Sequence, residues 1–317
     1  FQGSRQAGSV FKPFVYAAAI DQLRLSPCDV RPDTQYCIAP GKHNNIEAWC
    51  PRNSGEEFSG EMMTLRTALA RSVNSITAQV IDQVGPEPVV QLVKNLGIRN
   101  TIPPVPSIAL GTADINVMEM VGAYSAFANK GVYVKPVAIT HITDKNGRVL
   151  YQYTPETRDV LSEDVAYAVV NLLEGVTQGG SGARLRTEGA ETYRVDYQEM
   201  ATGYPWKFTN PIAGKTGTTQ NQSDGWFMGM VPNLVTGVWV GAEDRATHFR
   251  SITYGQGAAL ALPIWANYMR RNYNVPELGV SSGAFHRPAE MSIEVDCRKQ
   301  AAAEAVLVDE DDDLEEF

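Results

Sequence analysis

A serine and a lysine three residues apart lie near the start of the chain, in the segment Gly8-Ser9-Val10-Phe11-Lys12-Pro13. The apolar, alanine-rich residues that follow predict a buried helix with Ser9 in its first turn, so that the Lys12 amine and the Ser9 hydroxyl share one face. A serine hydroxyl is a weak nucleophile unless a neighbouring base takes its proton, and a lysine whose pKa is lowered by burial or by a second cation can be that base. The pair is therefore able to perform nucleophilic catalysis, although such a short pattern, taken alone, is more often an N-capping serine followed by a surface lysine.

Ser72 and Asn74 form a second polar pair, between Arg71 and the apolar helical pattern of residues 75–84. Because they are two residues apart at a connection between helical segments, a hydroxyl and a carboxamide can reach one site there. The hydroxyl can carry a proton, and the carboxamide can orient a substrate through hydrogen bonds. A polar helical turn or cap is the alternative interpretation of this pair.

The run Lys215-Thr216-Gly217-Thr218 lies in the first of three closely spaced predicted strands. Lys215 would add a second cation, which helps to keep the first lysine neutral and attracts a carboxylate. Gly217 lacks a side chain, so an extended substrate backbone can approach the strand edge. The N–H groups of Thr218 and of Ser9 would form an oxyanion hole. An exposed turn is the alternative, and a phosphate-binding P-loop is excluded because no Gly-x-x-x-x-Gly-Lys pattern is present.

The order Ser-x-x-Lys, Ser-x-Asn, Lys-Thr-Gly is the signature of penicillin-binding proteins and serine β-lactamases. Residues 5–14, Arg-Gln-Ala-Gly-Ser-Val-Phe-Lys-Pro-Phe, resemble the nucleophile segment of class A penicillin-binding proteins. Further stretches that resemble this family are residues 58–64, 109–111, 127–131 and 223–227. The chain is thereby identified as a class A transpeptidase domain over roughly residues 5–275.

The resemblance implies an α+β fold in which helices sandwich a central antiparallel sheet. Carried onto this chain, it makes Ser9 the nucleophile and Lys12 its base, while Ser72 and Asn74 relay the proton and orient the donor. The remaining positions that it implies, for binding the donor carboxylate, are Lys215, Thr216, Gly217 and Thr218. It implies no metal and no cofactor.

The resemblance also implies a reaction and partners. Peptidoglycan stem peptides would be the substrates: a D-Ala-D-Ala donor acylates the serine, and an amine from a neighbouring stem peptide then forms the cross-link. β-Lactam antibiotics would acylate the same serine. Class A members carry a glycosyltransferase domain and a membrane anchor upstream, so we expect a periplasmic domain that is membrane-anchored in the full-length protein.

Hydrophobic periodicity predicts the elements that must position these motifs. Helices are expected at 9–25, 63–84, 86–96, 115–130, 162–176 and 257–268. Strands are expected at 132–143 and 148–153 around Asp144-Lys145-Asn146-Gly147, and in a meander at 211–218, 225–231 and 234–241. Long loops are expected at 26–62 and 179–211. The family's sheet begins with strands that precede the nucleophile helix, so we expect one or two such strands to pair beside 234–241.

Charge and composition exclude some functions. The formal net charge is −9, yet residues 304–317 contain eight acids and no base, which leaves 28 acidic residues against 27 basic ones. A nearly neutral body offers no basic surplus for nucleic-acid binding.

We divide the chain into a transpeptidase domain at 1–275 and an irregular extension at 276–317, whose acidic end is predicted to be a disordered tail.

Four cysteines are present, and their spacing gives no zinc motif. Cys37 and Cys50 could form a disulfide that pins the long loop if the compartment is oxidising, whereas Cys297 is remote from the other three.

Three rival functions share some of these motifs. A class A β-lactamase would need a deacylating glutamate in a Glu-x-x-Leu-Asn loop, and no such stretch lies between Asn74 and Lys215. A D,D-carboxypeptidase would differ only in using water as the acceptor. A non-turnover β-lactam sensor or scaffold would be acylated without further reaction.

One residue departs from the pattern of the family. Ala7 stands where the family commonly has proline, which is a small change.

Overall fold

The computed structural model describes residues 3–186 and 204–297. Its strands are β1 Arg5–Gln6, β2 Val30–Pro32, β3 Met62–Thr64, β4 Asp114–Ile115, β5 Val132–Val134, β6 His141–Thr143, β7 Val149–Gln152, β8 Thr157–Asp159, β9 Ala213–Thr218, β10 Asp224–Val231 and β11 Leu234–Gly241. Its helices are α1 Lys12–Leu23, α2 Leu65–Arg71, α3 Asn74–Val84, α4 Pro86–Asn95, α5 Val117–Ala128, α6 Glu163–Gly179, α7 Ile252–Gly255 and α8 Gly257–Tyr273. Within these residues, no helix combines the length and the apolar character that a membrane span requires.

The central sheet is the antiparallel meander β9–β10–β11, in the order β11-β10-β9. Successive side chains on a strand point to opposite faces, and β10 is buried along its whole length. On one face, Trp226 and Met228 join a core with α1 to α6, and on the other, Phe227 and Val231 pack with α8. The expected sandwich of a sheet between helices is therefore confirmed. No strand among the described residues pairs with the outer edge of β11, and the expectation of preceding strands stays a prediction.

The helices that carry the first two motifs pack against each other beneath this sheet. A 3₁₀ turn at Gly8–Phe11 leads directly into α1, whose residues from Lys12 to Ile20 are all buried. The helix predicted for residues 63–84 is interrupted, because Ser72 adopts a left-handed conformation with φ 60° and ends α2. Helix α3 then starts at Asn74, so the Ser72–Asn74 motif is the link between two helices.

Outside the central sheet, the strand predictions need two corrections. The expected strand at 132–143 is two strands: β5 pairs with β8, and β6 pairs with β7 around the predicted turn. Pro136 lies between them, and proline cannot donate to a strand ladder. The predicted 26–62 loop also contains β2, which pairs with β3.

Two disulfides join the described cysteines. Cys37–Cys50 closes a loop of the long connection before α2, as the spacing suggested. Cys28–Cys297 was not predicted, and it ties the C-terminal segment to the chain that follows α1. Phe285, Ile293 and Val295 of that segment are buried in the main core. The acidic run at 304–317 lies outside the described residues, and the division at residue 275 stays a prediction.

Candidate active site

The predicted nucleophile, Ser9, is half-buried in the 3₁₀ turn before α1. Gly8 has a φ of +57°, and a Cβ atom there would lie 2.9 Å from the Thr218 carbonyl oxygen. The Gly8 N–H donates to the Gly111 carbonyl oxygen over 2.9 Å, which anchors the turn from its other side. Glycine is needed at this position both for its conformation and for the close approach. The turn therefore places Ser9 directly beside the end of β9.

Lys12 is fully buried at the start of α1. Its Nζ donates to the Ser72 carbonyl oxygen over 2.6 Å, to Asn74 Oδ1 over 2.6 Å and to Ser72 Oγ over 3.3 Å. Burial, together with the positive charge of Lys215, holds the pKa of this amine well below its ordinary value. A lysine in this state can be neutral near pH 7, which is the condition for acting as a base.

Lys215 approaches the same hydroxyl from the sheet. It is fully buried on β9, and its Nζ donates to Ser72 Oγ over 2.9 Å and to the Thr216 carbonyl oxygen over 3.0 Å. Burial lowers the pKa of this amine to about 7. All three predicted motifs thus converge on Ser72, at the meeting point of α1, the α2–α3 link and β9.

The end of β9 places Thr216 and Thr218 on the face opposite Lys215, because side chains alternate along a strand. The Thr218 Oγ1 accepts the Gly257 N–H at the start of α8 over 3.1 Å. That hydroxyl therefore keeps its own proton available for another partner.

Gly217 has a packing role that the sequence analysis did not give it. A Cβ atom at this position would lie 2.9 Å from Val10 Cγ1 and 3.1 Å from the Ala7 carbonyl oxygen. The missing side chain therefore lets the nucleophile turn pack against the strand. A role for the Gly217 backbone in substrate binding stays a prediction.

Two residues near these motifs were missed by sequence reasoning. The hydroxyls of Ser181 and Thr216 are hydrogen-bonded over 2.5 Å, and the Ser181 N–H donates to the Ala70 carbonyl oxygen near the end of α2. The only signal in the sequence was a serine among glycines within a predicted loop. Asn53, in the long loop before α2, hydrogen-bonds the backbone at the start of α3. Nothing in its local sequence indicated that contact.

Comparison with known proteins identifies the family of the chain. The family model of the penicillin-binding protein transpeptidase domain matches residues 1–245. Penicillin-binding protein 1A of Aquifex aeolicus is 34% identical over 268 residues, which cover 84% of this chain and 33% of that protein. The protein of the same name from Neisseria gonorrhoeae is 33% identical over 275 residues, covering 85% and 31%. The chain thus spans about a third of the length of these relatives.

Solved structures share the fold. Penicillin-binding protein 1A from Haemophilus influenzae has a TM-score of 0.72 at 24% identity, covering 92% of this chain and 44% of its own. The penicillin-binding protein PonA1 from Mycobacterium tuberculosis has a TM-score of 0.73 at 22% identity, covering 92% and 74%. A structure of PonA1 in complex with penicillin V has a TM-score of 0.72 at 23% identity, covering 92% and 74%. On the family match and the identity to its relatives, the chain belongs to the transpeptidase-domain family of the penicillin-binding proteins, as a domain of their class A.

Proposed function

We propose that the domain is a D,D-transpeptidase that cross-links peptidoglycan stem peptides through an acyl-enzyme on Ser9. The observation that carries the proposal is the convergence of two buried lysines on one serine hydroxyl beside the Ser9 turn. Buried amines with lowered pKa values have a cost in stability, and such groups cluster at functional sites.

In the first step, Lys12 takes the Ser9 proton as the serine oxygen attacks the carbonyl carbon of the D-Ala-D-Ala bond. A neutral amine has two N–H groups and one lone pair. The two closest acceptors of Lys12, the Ser72 carbonyl oxygen and Asn74 Oδ1, both lie 2.6 Å away and use both N–H groups. In this neutral state the longer contact to Ser72 Oγ, at 3.3 Å, receives no N–H, and the lone pair is left for the Ser9 hydroxyl.

Ser72 is placed to move the proton onward. Its Oγ lies 3.3 Å from Lys12 Nζ and 2.9 Å from Lys215 Nζ, so it can receive a proton from Lys12 while it donates its own to the departing nitrogen. The C–N bond breaks, the terminal D-Ala leaves as a neutral amine, and the donor carbonyl stays as an ester on Ser9.

The strand end would hold the donor. The N–H groups of Ser9 and Thr218 would stabilise the developing oxyanion, which is supported by the close approach of Gly8 to Thr218. The terminal carboxylate would lie at the outer edge of β9, where the Lys215 ammonium reaches it from one face of the strand and the hydroxyls of Thr216 and Thr218 reach it from the other. The Thr218 hydroxyl suits this role because its oxygen already accepts the Gly257 N–H and its proton remains to be donated.

In the second step, an amine from a neighbouring stem peptide attacks the ester, and the proton path runs in reverse to regenerate Ser9. β-Lactams would acylate the same serine by ring opening, without a leaving group that diffuses away.

We further propose that the full-length protein carries a glycosyltransferase domain and a membrane anchor that hold this domain in the periplasm. The two disulfides support an oxidising, extracytoplasmic compartment.

The test is intact-mass analysis after exposure to benzylpenicillin. One adduct is expected, and peptide mapping should place it on Ser9. Ser9→Ala should abolish it, and Lys12→Arg should nearly abolish it while the melting temperature shows a folded protein, because arginine cannot release its proton. Labelling that persists in Ser9→Ala would disprove the assignment of the nucleophile.

Product analysis separates the rival functions. Incubation with a D-Ala-D-Ala stem peptide and an amine acceptor should yield cross-linked product together with free D-Ala. Free D-Ala with water as the only acceptor would indicate a D,D-carboxypeptidase. A stable acyl-enzyme with no released product from either acceptor would indicate a sensor or scaffold.

A further inference from the structure

The carboxamide of Asn53 has all of its hydrogen-bonding positions filled. Its Oδ1 accepts the N–H of Asn74 over 2.9 Å and the N–H of Ser75 over 3.2 Å. Its Nδ2 donates to Asp33 Oδ1 over 2.7 Å and to the Glu57 carbonyl oxygen over 3.2 Å. An asparagine side chain has two donors and two acceptor lone pairs, so this set is complete. A fully satisfied side chain in a loop is a fixed structural element.

Helix α3 requires such a contact because its own N-terminus lacks one. The residue at its N-cap is Val73, which has no side-chain oxygen to accept the first free N–H groups. Asn53 supplies that oxygen from 21 residues upstream. The first residue of α3 that it holds is Asn74, whose carboxamide oxygen accepts the Lys12 amine.

The neighbouring residue fixes the Asn74 side chain. Asn74 Nδ2 donates to the Arg52 carbonyl oxygen over 2.6 Å, and Asn74 Oδ1 accepts the Lys12 amine over 2.6 Å. Arg52 and Asn53 therefore hold both the backbone and the carboxamide of Asn74. Without the Arg52 contact, the carboxamide could rotate and present its NH₂ group to the lysine.

Asp33 holds Asn53 in turn. Its carboxylate is buried and accepts Asn53 Nδ2, the Ser75 hydroxyl over 2.6 Å, and both the N–H and the hydroxyl of Ser59 over 2.9 Å. Burial alone would raise the pKa of this carboxyl, and the hydrogen bonds from Ser75, Ser59 and Asn53 outweigh burial and lower that pKa. A buried carboxylate with four donors joins the long loop to α3 as one rigid unit.

We propose that Asn53, held by Asp33, is a positioning residue for acylation, because it fixes Asn74 and thereby the direction in which the Lys12 lone pair points. The inference rests on the proposed function, in which Lys12 is the base. The chain of contacts runs from Asp33 through Asn53 and Asn74 to Lys12, and each link is a hydrogen bond of 2.6 to 2.9 Å. Asn53 itself does not touch the substrate.

The test measures the second-order rate constant of acylation by a fluorescent penicillin. Asn53→Ala should lower it about 100-fold, since a small displacement of a catalytic group has effects of that size. Asn53→Ala/Asn74→Ala should be no slower than Asn74→Ala within about twofold, because Asn53 acts through Asn74. Ser54→Ala is the matched control: this neighbouring side chain is exposed, and wild-type acylation is expected. Melting temperatures establish that each variant is folded.

A carboxylate exchange keeps the proposal testable if Asn53→Ala does not fold. Asn53→Asp retains the cap but places a second carboxylate against Asp33, so acylation should fall. Asp33→Asn/Asn53→Asp restores a donor–acceptor pair between these two positions. On a logarithmic scale, its acylation rate constant should regain at least half of what Asn53→Asp loses relative to wild type.

Three results would overturn the inference: wild-type acylation by folded Asn53→Ala, additive losses in the double variant, or an exchange variant no faster than Asn53→Asp. Absence of acylation in the wild-type protein would instead refute the proposed function.

Discussion

The amines of Lys12 and Lys215 meet on a single atom, the Ser72 hydroxyl oxygen, at 3.3 and 2.9 Å. One lysine comes from the nucleophile helix and the other from the sheet, and both are fully buried. Two ammonium groups this close would repel each other strongly, which favours a state with at most one positive charge. Since Lys12 is the amine whose pKa is further lowered by the charge of its neighbour, we assign the single positive charge to Lys215 when the pair holds one proton, and Lys215 loses it above about pH 7.

Removing the charge of Lys215 should therefore change the pH dependence of acylation. In Lys215→Met the Lys12 pKa rises, because the cation that opposed its protonation is gone. A smaller fraction of Lys12 is then neutral at pH 7, and the acidic limb of the pH–rate profile moves to higher pH by about one unit. Stopped-flow acylation by a penicillin between pH 5 and 9 measures this limb.

Lys145→Met is the matched control for that experiment. Lys145 is exposed in the turn between β6 and β7, and its replacement should leave the profile unchanged. An acidic limb at the same pH in Lys215→Met and in wild type would mean that the charge of Lys215 does not govern the titration of Lys12.

The elements around the three motifs were largely predictable from the sequence. The meander of β9, β10 and β11 was expected because three apolar runs are separated by short polar turns. The start of α4 was expected from Gly85 and Pro86, since proline is well tolerated in the first turn of a helix. Both elements depend on residues that are neighbours in the sequence, and they are therefore predictable from it.

Contacts between distant loops were not predictable in this way. Ser181 reaches Thr216, and Asn53 reaches the start of α3, only because helix packing brings their loops together. The Cys28–Cys297 pairing has the same character, since spacing alone does not determine connectivity. The residues that support the site therefore become visible only once the tertiary structure is known.

Thr218 allows a test of carboxylate recognition. Thr218→Val removes the hydroxyl and keeps the branched shape, so acylation by a penicillin should fall about 10- to 100-fold, the worth of one hydrogen bond to a charged group. Thr218→Ser keeps the hydroxyl and should stay within about threefold of wild type. A penicillin methyl ester, which lacks the charge, should react with Thr218→Val and wild type at similar rates. A loss in Thr218→Val that is just as large with the ester would place the substrate carboxylate elsewhere.

The two disulfides should have different effects on stability and activity. Cys28→Ser/Cys297→Ser removes a link across 269 residues, so we expect a loss of about 2–4 kcal/mol in the free energy of unfolding. Acylation at low temperature should persist, because Cys28 follows the end of α1 opposite Lys12. Cys37→Ser/Cys50→Ser should slow acylation, since this loop leads into Arg52 and Asn53. Denaturant unfolding measures the stability of each variant, and the acylation rate measures its activity. Slower acylation in Cys28→Ser/Cys297→Ser than in Cys37→Ser/Cys50→Ser would contradict these separate roles.

Burial of Lys215 should also make the stability of the folded domain depend on pH. Its pKa is about 7 when folded and about 10.4 in an unfolded chain. Between these values the unfolded chain binds a proton that the folded chain does not, so the free energy of unfolding rises with pH, by up to about 1.4 kcal/mol per unit for each such lysine. Lys12 contributes in the same direction.

Lys215→Met should therefore roughly halve the slope of unfolding free energy against pH between pH 7 and 9.5. The pH range ends there because burial raises the pKa values of Tyr16 and Tyr124. At higher pH these tyrosines ionise in the unfolded chain but not in the folded one, so they make the free energy of unfolding fall with pH. Guanidinium unfolding at several pH values gives the slopes, and Lys145→Met should retain the wild-type one. Equal slopes in wild type and Lys215→Met would show that Lys215 keeps its proton in the folded domain over this pH range. That result would contradict the lowered pKa of Lys215.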